Sequence, residues 1–172
     1  MKKLNWYKDA NRYIFDNFKY PELFISLIAA TSPRKRLTNN AKIALHIYND
    51  ICKDSFDTTL QTYSILKTAH GNNIRRSVKG EKLSGNKVES FRQNLLLNEN
   101  VVTVDMWVLS YFKFTKSLTN KQYKLIEKTC LQRAKKHKLT GFEYQEYIWI
   151  KERSKNGYKP IYLHTVLEGL QR

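Results

Sequence analysis

The chain contains little cysteine, proline or glycine: two, three and six residues of the 172. The two cysteines, Cys52 and Cys130, lie far apart and no Cys-x-x-Cys occurs, so their number excludes four-cysteine zinc sites and iron–sulfur clusters. We expect both to be buried, reduced thiols. The histidines are scattered without metal-ligand spacing, and the chain has no glycine-rich nucleotide-binding loop. The sequence therefore predicts no metal and no cofactor.

Long apolar segments are also absent. No run approaches the roughly 20 apolar residues that cross a bilayer. The first residues, Met1–Asp9, lack the apolar core of a signal peptide. These absences predict a cytoplasmic protein without a membrane span. The length favours a single domain over residues 1–172, and we expect a monomer.

Acidic residues are scarce relative to basic ones. The sequence has 31 Lys+Arg against 15 Asp+Glu, a formal net charge of +16. Such an excess attracts polyanions, and DNA is the partner that we expect. An acidic membrane surface is the competing polyanion, but 41% hydrophobic and 13% aromatic residues favour a packed protein rather than a basic amphipathic helix.

Apolar residues recur at spacings of three and four along most of the chain, which is typical of helices. The sequence therefore predicts an all-α, compact helical bundle. The segment after Pro21 is apolar on nearly every side, so we expect it to be the central buried helix. We expect Glu127, Glu143 and Glu146 to be surface charges. Helices are predicted over 6–18, from Pro21, over 41–53, from Asp57, over 73–79, 86–97 and 104–112, from Thr119 to about Lys138, after Thr140, and over 165–170. The predicted caps are Thr38 or Asn39 for 41–53, Asp57, Thr103 for 104–112, Thr119 and Thr140. Gly71 is predicted to end the helix that starts at Asp57.

The segment 73–97 reads as a short basic helix, a turn and a second helix. Free backbone N–H groups at the start of the second helix would attract an anion. Gly85 would let the backbone approach a phosphate closely, since it has no Cβ. Arg75, Arg76 and Lys82 add positive charge around this turn. The alternative is an ordinary helical corner with solvated side chains.

Lys87 and Asp105 are the candidate catalytic pair. A lysine amine can attack a sugar C1′ and form a Schiff base, but Lys87 could instead contact phosphate or simply be solvated. A carboxylate at Asp105 could stabilise a cationic, oxocarbenium-like sugar, although acidic residues also favour helix N-termini for electrostatic reasons alone. Trp107 follows on the same predicted helix, where it could stack on a base or belong to the core.

Two further basic clusters lie outside this region. Arg34, Lys35 and Arg36 follow Pro33 in a loop that could contact phosphates or enter a groove, or could be solvated. Residues 133–138 place several cations at the end of a predicted helix, where they could complement its dipole.

The segment Leu83-x-Gly85-x-Lys87-Val88, followed by Val102-Thr103-Val104-Asp105-x-Trp107, resembles the helix-hairpin-helix DNA glycosylase superfamily. Members of that superfamily carry a hairpin of the form LPGVGxK and a V-x-V-D segment, and the order of elements agrees over roughly residues 20–112. The resemblance implies a helix-hairpin-helix motif at about 73–97. It makes Lys87 the Schiff-base nucleophile and Asp105 the catalytic carboxylate. It also implies DNA contacts by two segments: Leu83, Ser84, Gly85 and Asn86 at a phosphate, and Thr31 and Ser32 near a flipped base.

The chain departs from the superfamily in two ways. It has one hairpin glycine and reads Leu-Ser-Gly, and it lacks the cysteine cluster of the endonuclease III branch. A compact branch similar to the 8-oxoguanine glycosylases fits the lysine best. The resulting prediction is a DNA glycosylase, with or without abasic-site lyase activity. The alternatives are a phage-type enzyme that modifies a flipped base, such as an amino-acid:DNA transferase, and a DNA-binding protein without catalysis. The Lys-, Asn- and Ile-rich composition indicates an AT-rich genome, which is consistent with a phage or a mobile element but does not establish either.

Overall fold

The computed structural model describes residues 4–53, 69–115 and 118–172, and the regular elements in them are helices. The all-α prediction is confirmed. Among these residues no helix is both long and apolar enough to cross a membrane. The helices are α1 (Trp6–Asn17), α2 (Pro21–Thr31), α3 (Leu37–Cys52), α4 (Ala69–Val78), α5 (Asn86–Leu95), α6 (Met106–Tyr111), α7 (Asn120–Lys136), α8 (Gly141–Lys155) and α9 (Leu163–Gln171).

Three helix starts follow the predicted local signals. Pro21 lies in the first turn of α2, where its missing N–H costs nothing. Thr119 and Thr140 cap α7 and α8, and each forms a reciprocal capping box, with Gln122 and Glu143 respectively. These starts depend only on neighbours in sequence, and the predictions for them are confirmed.

Several helix bounds differ from the prediction by a few residues, and two of these differences have a physical reason. α3 begins at Leu37, because the extended Arg36 accepts the first helical hydrogen bond from the Asn40 N–H (2.9 Å); neither Thr38 nor Asn39 is the cap. Gly71 lies inside α4 instead of ending a helix. It is buried, and α4 packs against α2, so this packing offsets the weak helix propensity of glycine. The helix predicted from Asp57 lies outside the described residues.

The larger core surrounds α2, as predicted. Every residue of α2 from Phe24 to Thr31 is buried, and α1, α3, α4 and α5 pack against this helix. Phe24 stacks on Phe18 with ring centroids 3.8 Å apart. The segment between α4 and α5 adds Leu83, and α9 adds Leu163 and Leu167.

A second, smaller core lies on the other side of α8. It consists of Val102 and Val104 from the segment before α6, Val108 from α6 itself, Tyr123, Ile126, Cys130 and Ala134 from α7, and Tyr144 and Ile148 from α8. Phe142 of α8 belongs to the larger core. Helix α8 therefore contacts both cores, and its polar side chains lie at the junction between them.

The cysteine prediction is half right. Cys130 is buried, and burial raises the pKa of its thiol to about 12, so it stays protonated. Cys52 is exposed at the last residue of α3.

Candidate functional site

The connection between α4 and α5 is tightly held. Gly85, directly before α5, has a φ of 96°, a region that glycine occupies without strain. Asn73 binds Ser84 twice, accepting from its backbone N–H at 2.7 Å and donating to its carbonyl at 2.9 Å. The Glu89 carboxylate accepts from the Leu83 N–H at 2.9 Å, and the Leu83 side chain is buried. Side chains of both flanking helices thus fix the turn.

A basic groove lies beside this turn. Its volume is about 280 Å³, and its lining residues are Asn72, Arg75, Arg76, Lys79, Glu81 and Ser84. Arg76 donates to the Lys82 carbonyl at 3.0 Å, which holds its guanidinium near the turn. The structure therefore brings together Arg75, Arg76 and Ser84. Asn72 was missed, because an exposed asparagine within a helix carries no distinguishing signal.

Asp105 caps α6 directly. One carboxylate oxygen, Oδ1, accepts hydrogen bonds from the backbone N–H groups of Trp107 and Val108, both at 2.9 Å. The prediction that Thr103 is the cap was wrong. Thr103 is buried, and its backbone N–H and hydroxyl both donate to Asn94 Oδ1, at 2.9 and 2.7 Å.

The second oxygen of Asp105 belongs to a buried chain of hydrogen bonds. Gln145 Nε2 donates to Asp105 Oδ2 at 3.1 Å, and the Tyr7 hydroxyl donates to Gln145 Oε1 at 3.1 Å. Both Tyr7 and Gln145 are buried. Neither was singled out from the sequence, where the only signal is a glutamine close to the apolar positions of α8.

Burial and the neighbouring groups shift the pKa of the Asp105 carboxyl in opposite directions. Burial raises the pKa of its carboxyl, while the Val108 N–H, the positive charge of Lys87, the Trp107 N–H and the Gln145 amide counteract that rise. Lys87 is partly buried in the first turn of α5 and forms no ion pair with Asp105 within 4.0 Å. The structure thus places the two predicted catalytic side chains within electrostatic range without joining them.

Two of the three predicted surface carboxylates are buried, so that prediction was wrong. Glu146 accepts from the Trp6 N–H at 2.9 Å through Oε2, and its Oε1 has no hydrogen-bond partner. Burial, opposed by backbone N–H groups of Trp6 and Asn5, raises the pKa of Glu146 to about 7. Glu127 is buried beside Lys124, whose ammonium lies 2.7 Å away. Charge alone suggested exposure, but both carboxylates also accept hydrogen bonds from buried groups, Glu146 from the Trp6 N–H and Glu127 from the Ser90 hydroxyl and the Val102 N–H.

The remaining predicted site residues lie in different settings. Thr31 is fully buried, and its hydroxyl bonds with the Leu27 carbonyl and with Asn40, so reaching DNA would require breaking these bonds. The Ser32 hydroxyl donates to the Ala29 carbonyl. Trp107 is partly buried, with the Arg153 guanidinium 5.5 Å from its ring centroid. The exposed residues are Arg34, Lys35, Arg36 and Lys82, and Asn86 is partly exposed.

Within the described ranges, no three His, Cys, Asp or Glu side chains are grouped so as to hold a metal ion.

Comparison with known proteins identifies a family but no activity. Residues 2–156 match the family described as "Family of unknown function (DUF7178)", so the chain belongs to that family. No curated protein matches, and neither does any solved structure.

Proposed function

We propose that this member of the DUF7178 family is a DNA glycosylase that uses Lys87 and Asp105 at C1′ of a deoxynucleotide. The observation that carries the proposal is the setting of Asp105. Its carboxyl is buried enough for the pKa to rise, and the charge of Lys87 acts upon it from the first turn of the hairpin's second helix. A partly buried carboxylate with an amine within electrostatic range is suited to glycosyl transfer.

The basic groove supports DNA as the substrate. Arg75, Arg76 and Lys79 line it, and Gly85 exposes backbone next to it. The net charge of +16 would drive binding that weakens as salt rises. The groove would hold backbone phosphate while a nucleotide leaves the stack, at a cost of about a few kcal/mol.

Lys87 and Asp105 would then share the chemistry. The Lys87 ammonium gives a proton to the departing base, its nitrogen attacks C1′, and a C–N bond forms as the glycosidic bond breaks. The Asp105 carboxylate stabilises the positive charge that develops on the sugar. Opening of the sugar ring then leaves an imine between C1′ and the Lys87 nitrogen. Loss of a C2′ proton and cleavage of the C3′–O bond would then release the 3′ phosphate.

One observation favours a second candidate, a DNA-binding protein without catalysis. Both carboxylate oxygens of Asp105 already accept hydrogen bonds from the protein, so the residue can be explained as a helix cap with no role in chemistry. A base-modifying transferase would use the same groove and flipped base, and would add mass to DNA without forming an abasic site.

Borohydride trapping tests the proposal. The protein is incubated with duplexes that contain an abasic site, 8-oxoguanine, uracil or a modified pyrimidine, and is then reduced. We expect a covalent adduct with the wild type that is lost in Lys87→Gln and strongly reduced in Asp105→Asn. Lys42→Gln removes the same charge from an exposed position on α3 and is the matched control. Base release that persists in full in both site variants would overturn the proposal.

A further inference from the structure

A second surface of the molecule combines aromatic rings with cations. We define the aromatic–cationic face as Tyr111, Phe112, Arg133, His137, Tyr147 and Lys151. The ammonium of Lys151 lies 5.5 Å from the ring centroid of Tyr111 and 5.7 Å from that of Tyr147. The guanidinium of Arg133 lies 4.8 Å from the ring centroid of Phe112 and 5.9 Å from that of Tyr111. These contacts join α6, α7 and α8 into one surface.

A buried ring supports this surface from below. Tyr144 is 1% exposed, and it stacks on His137 and on Tyr147 with centroid separations of 5.9 Å in both pairs. Tyr147 itself is 38% exposed. Its ring is therefore held in a fixed orientation while much of it remains open to solvent.

The charges of this region have one sign. From 128 to 151 the sequence has six cations and only two carboxylates, Glu143 and Glu146. Both carboxylates face α1: Glu143 pairs with Lys8 at 2.7 Å, and Glu146 accepts from the Trp6 N–H. The third acid of α8, Glu152, is 4% exposed, and its carboxylate pairs with Lys155 at 2.6 Å and accepts from the Ser110 hydroxyl. The exposed side chains of α8 beside the cations of α7 are therefore Tyr147 and Lys151. The face is complementary to a polyanion.

We propose that the aromatic–cationic face binds an unpaired DNA strand, with a base stacked on Tyr147 and phosphates paired with Arg133 and Lys151. Exposed rings between cations are the combination by which proteins hold single strands, since every base has a flat face and every nucleotide a charge. A duplex keeps its bases stacked inside, so a surface that bound only phosphates would not need the ring. This contact is separate from the chemistry proposed for Lys87 and Asp105.

Fluorescence anisotropy with a labelled oligo(dT) tests this proposal on the full chain. We expect Tyr147→Ala to weaken binding about five- to tenfold, the effect of losing one stacked base. Tyr147→Phe keeps the ring and should bind as the wild type does. Tyr20→Ala is the matched control, because Tyr20 is 48% exposed and has the Lys19 ammonium 5.1 Å from its ring centroid.

Three results would overturn the proposal: an unchanged affinity in Tyr147→Ala, an equal loss in Tyr20→Ala, or an equal loss for a blunt duplex of the same length. The melting temperature of each variant shows whether it is folded. Borohydride trapping reports a covalent bond to DNA, whereas anisotropy reports reversible binding. A failure of borohydride trapping would therefore leave this proposal standing, and weak binding to oligo(dT) would leave the glycosylase proposal standing.

Discussion

Helices α2 and α8 are both largely buried, but they bury different chemistry. The polar residues that α2 buries, Ser26 and Thr31, bond to carbonyls one turn back in the same helix, and the rest of its buried side chains are apolar. Thr31 alone also bonds to another helix, at Asn40 of α3. Helix α8 buries Gln145, Glu146 and Glu152, and each of them binds another element. An apolar helix can pack against any apolar neighbours of complementary shape. A helix that buries a carboxylate needs particular partners, so α8 organises the candidate site and α2 supports the fold.

The largest effect that we expect comes from α2. Phe24→Ala removes a fully buried ring that stacks on Phe18, and it should lower the free energy of unfolding by about 3–5 kcal/mol. Denaturant unfolding measures the loss. Phe15→Ala, at a 46% exposed ring in α1, is the control and should change stability little. A small loss in Phe24→Ala would contradict the role of α2 as the central support.

This part of the fold could be predicted because its signals are local. The apolar character of α2 and the caps of α7 and α8 each depend on residues within a few positions of one another. The site could be predicted only in part. Lys87 and Asp105 lie in a pattern that can be compared with a known family. The role of Gln145, however, depends on its hydrogen bond with Tyr7, 138 positions away. No periodicity in one sequence reports such a long-range contact. The burial of Glu146 was missed for the same reason.

The next effect concerns Glu146 and depends on pH. The folded protein holds this carboxyl with a pKa of about 7, against an ordinary value of 4.5. The folded state therefore binds more protons between these values, and stability should fall as pH rises through that window. Glu146→Gln removes the ionisation and keeps an oxygen for the Trp6 N–H. We expect it to stabilise the protein by up to about 3 kcal/mol at pH 8 and by little at pH 4.

Unfolding of wild type and Glu146→Gln at several pH values measures this difference. The same substitution at Glu168, partly exposed on α9, serves as the control for loss of a carboxylate. An equal effect of Glu146→Gln at pH 4 and pH 8 would show that the carboxyl keeps an ordinary pKa. The buried carboxylate would then not distinguish α8 from α2 in its effect on stability.

The smallest effect on stability that we expect comes from Tyr7, and it distinguishes a role in the fold from a role in the candidate site. Tyr7→Phe removes the hydroxyl that donates to Gln145 and should cost about 1–2 kcal/mol, since a buried amide oxygen loses its partner. We expect a larger relative effect on trapping, because Gln145 would no longer be held against Asp105. Comparing the adduct yield with the unfolding free energy checks this. Tyr13→Phe, which removes a hydroxyl bonded to Gln171 at the surface, is the control. Equal yields in the two variants would assign the Tyr7–Gln145 pair to the fold alone.

The most direct test of the central claim is to identify the residue that becomes attached to DNA. The borohydride-reduced adduct with an abasic duplex would be digested, and the modified peptide located by mass spectrometry. We expect one modified position, Lys87, and no adduct in Lys87→Gln. Adducts spread over exposed lysines, with the same yield in Lys87→Gln, would contradict it and leave a protein that binds DNA without acting on it.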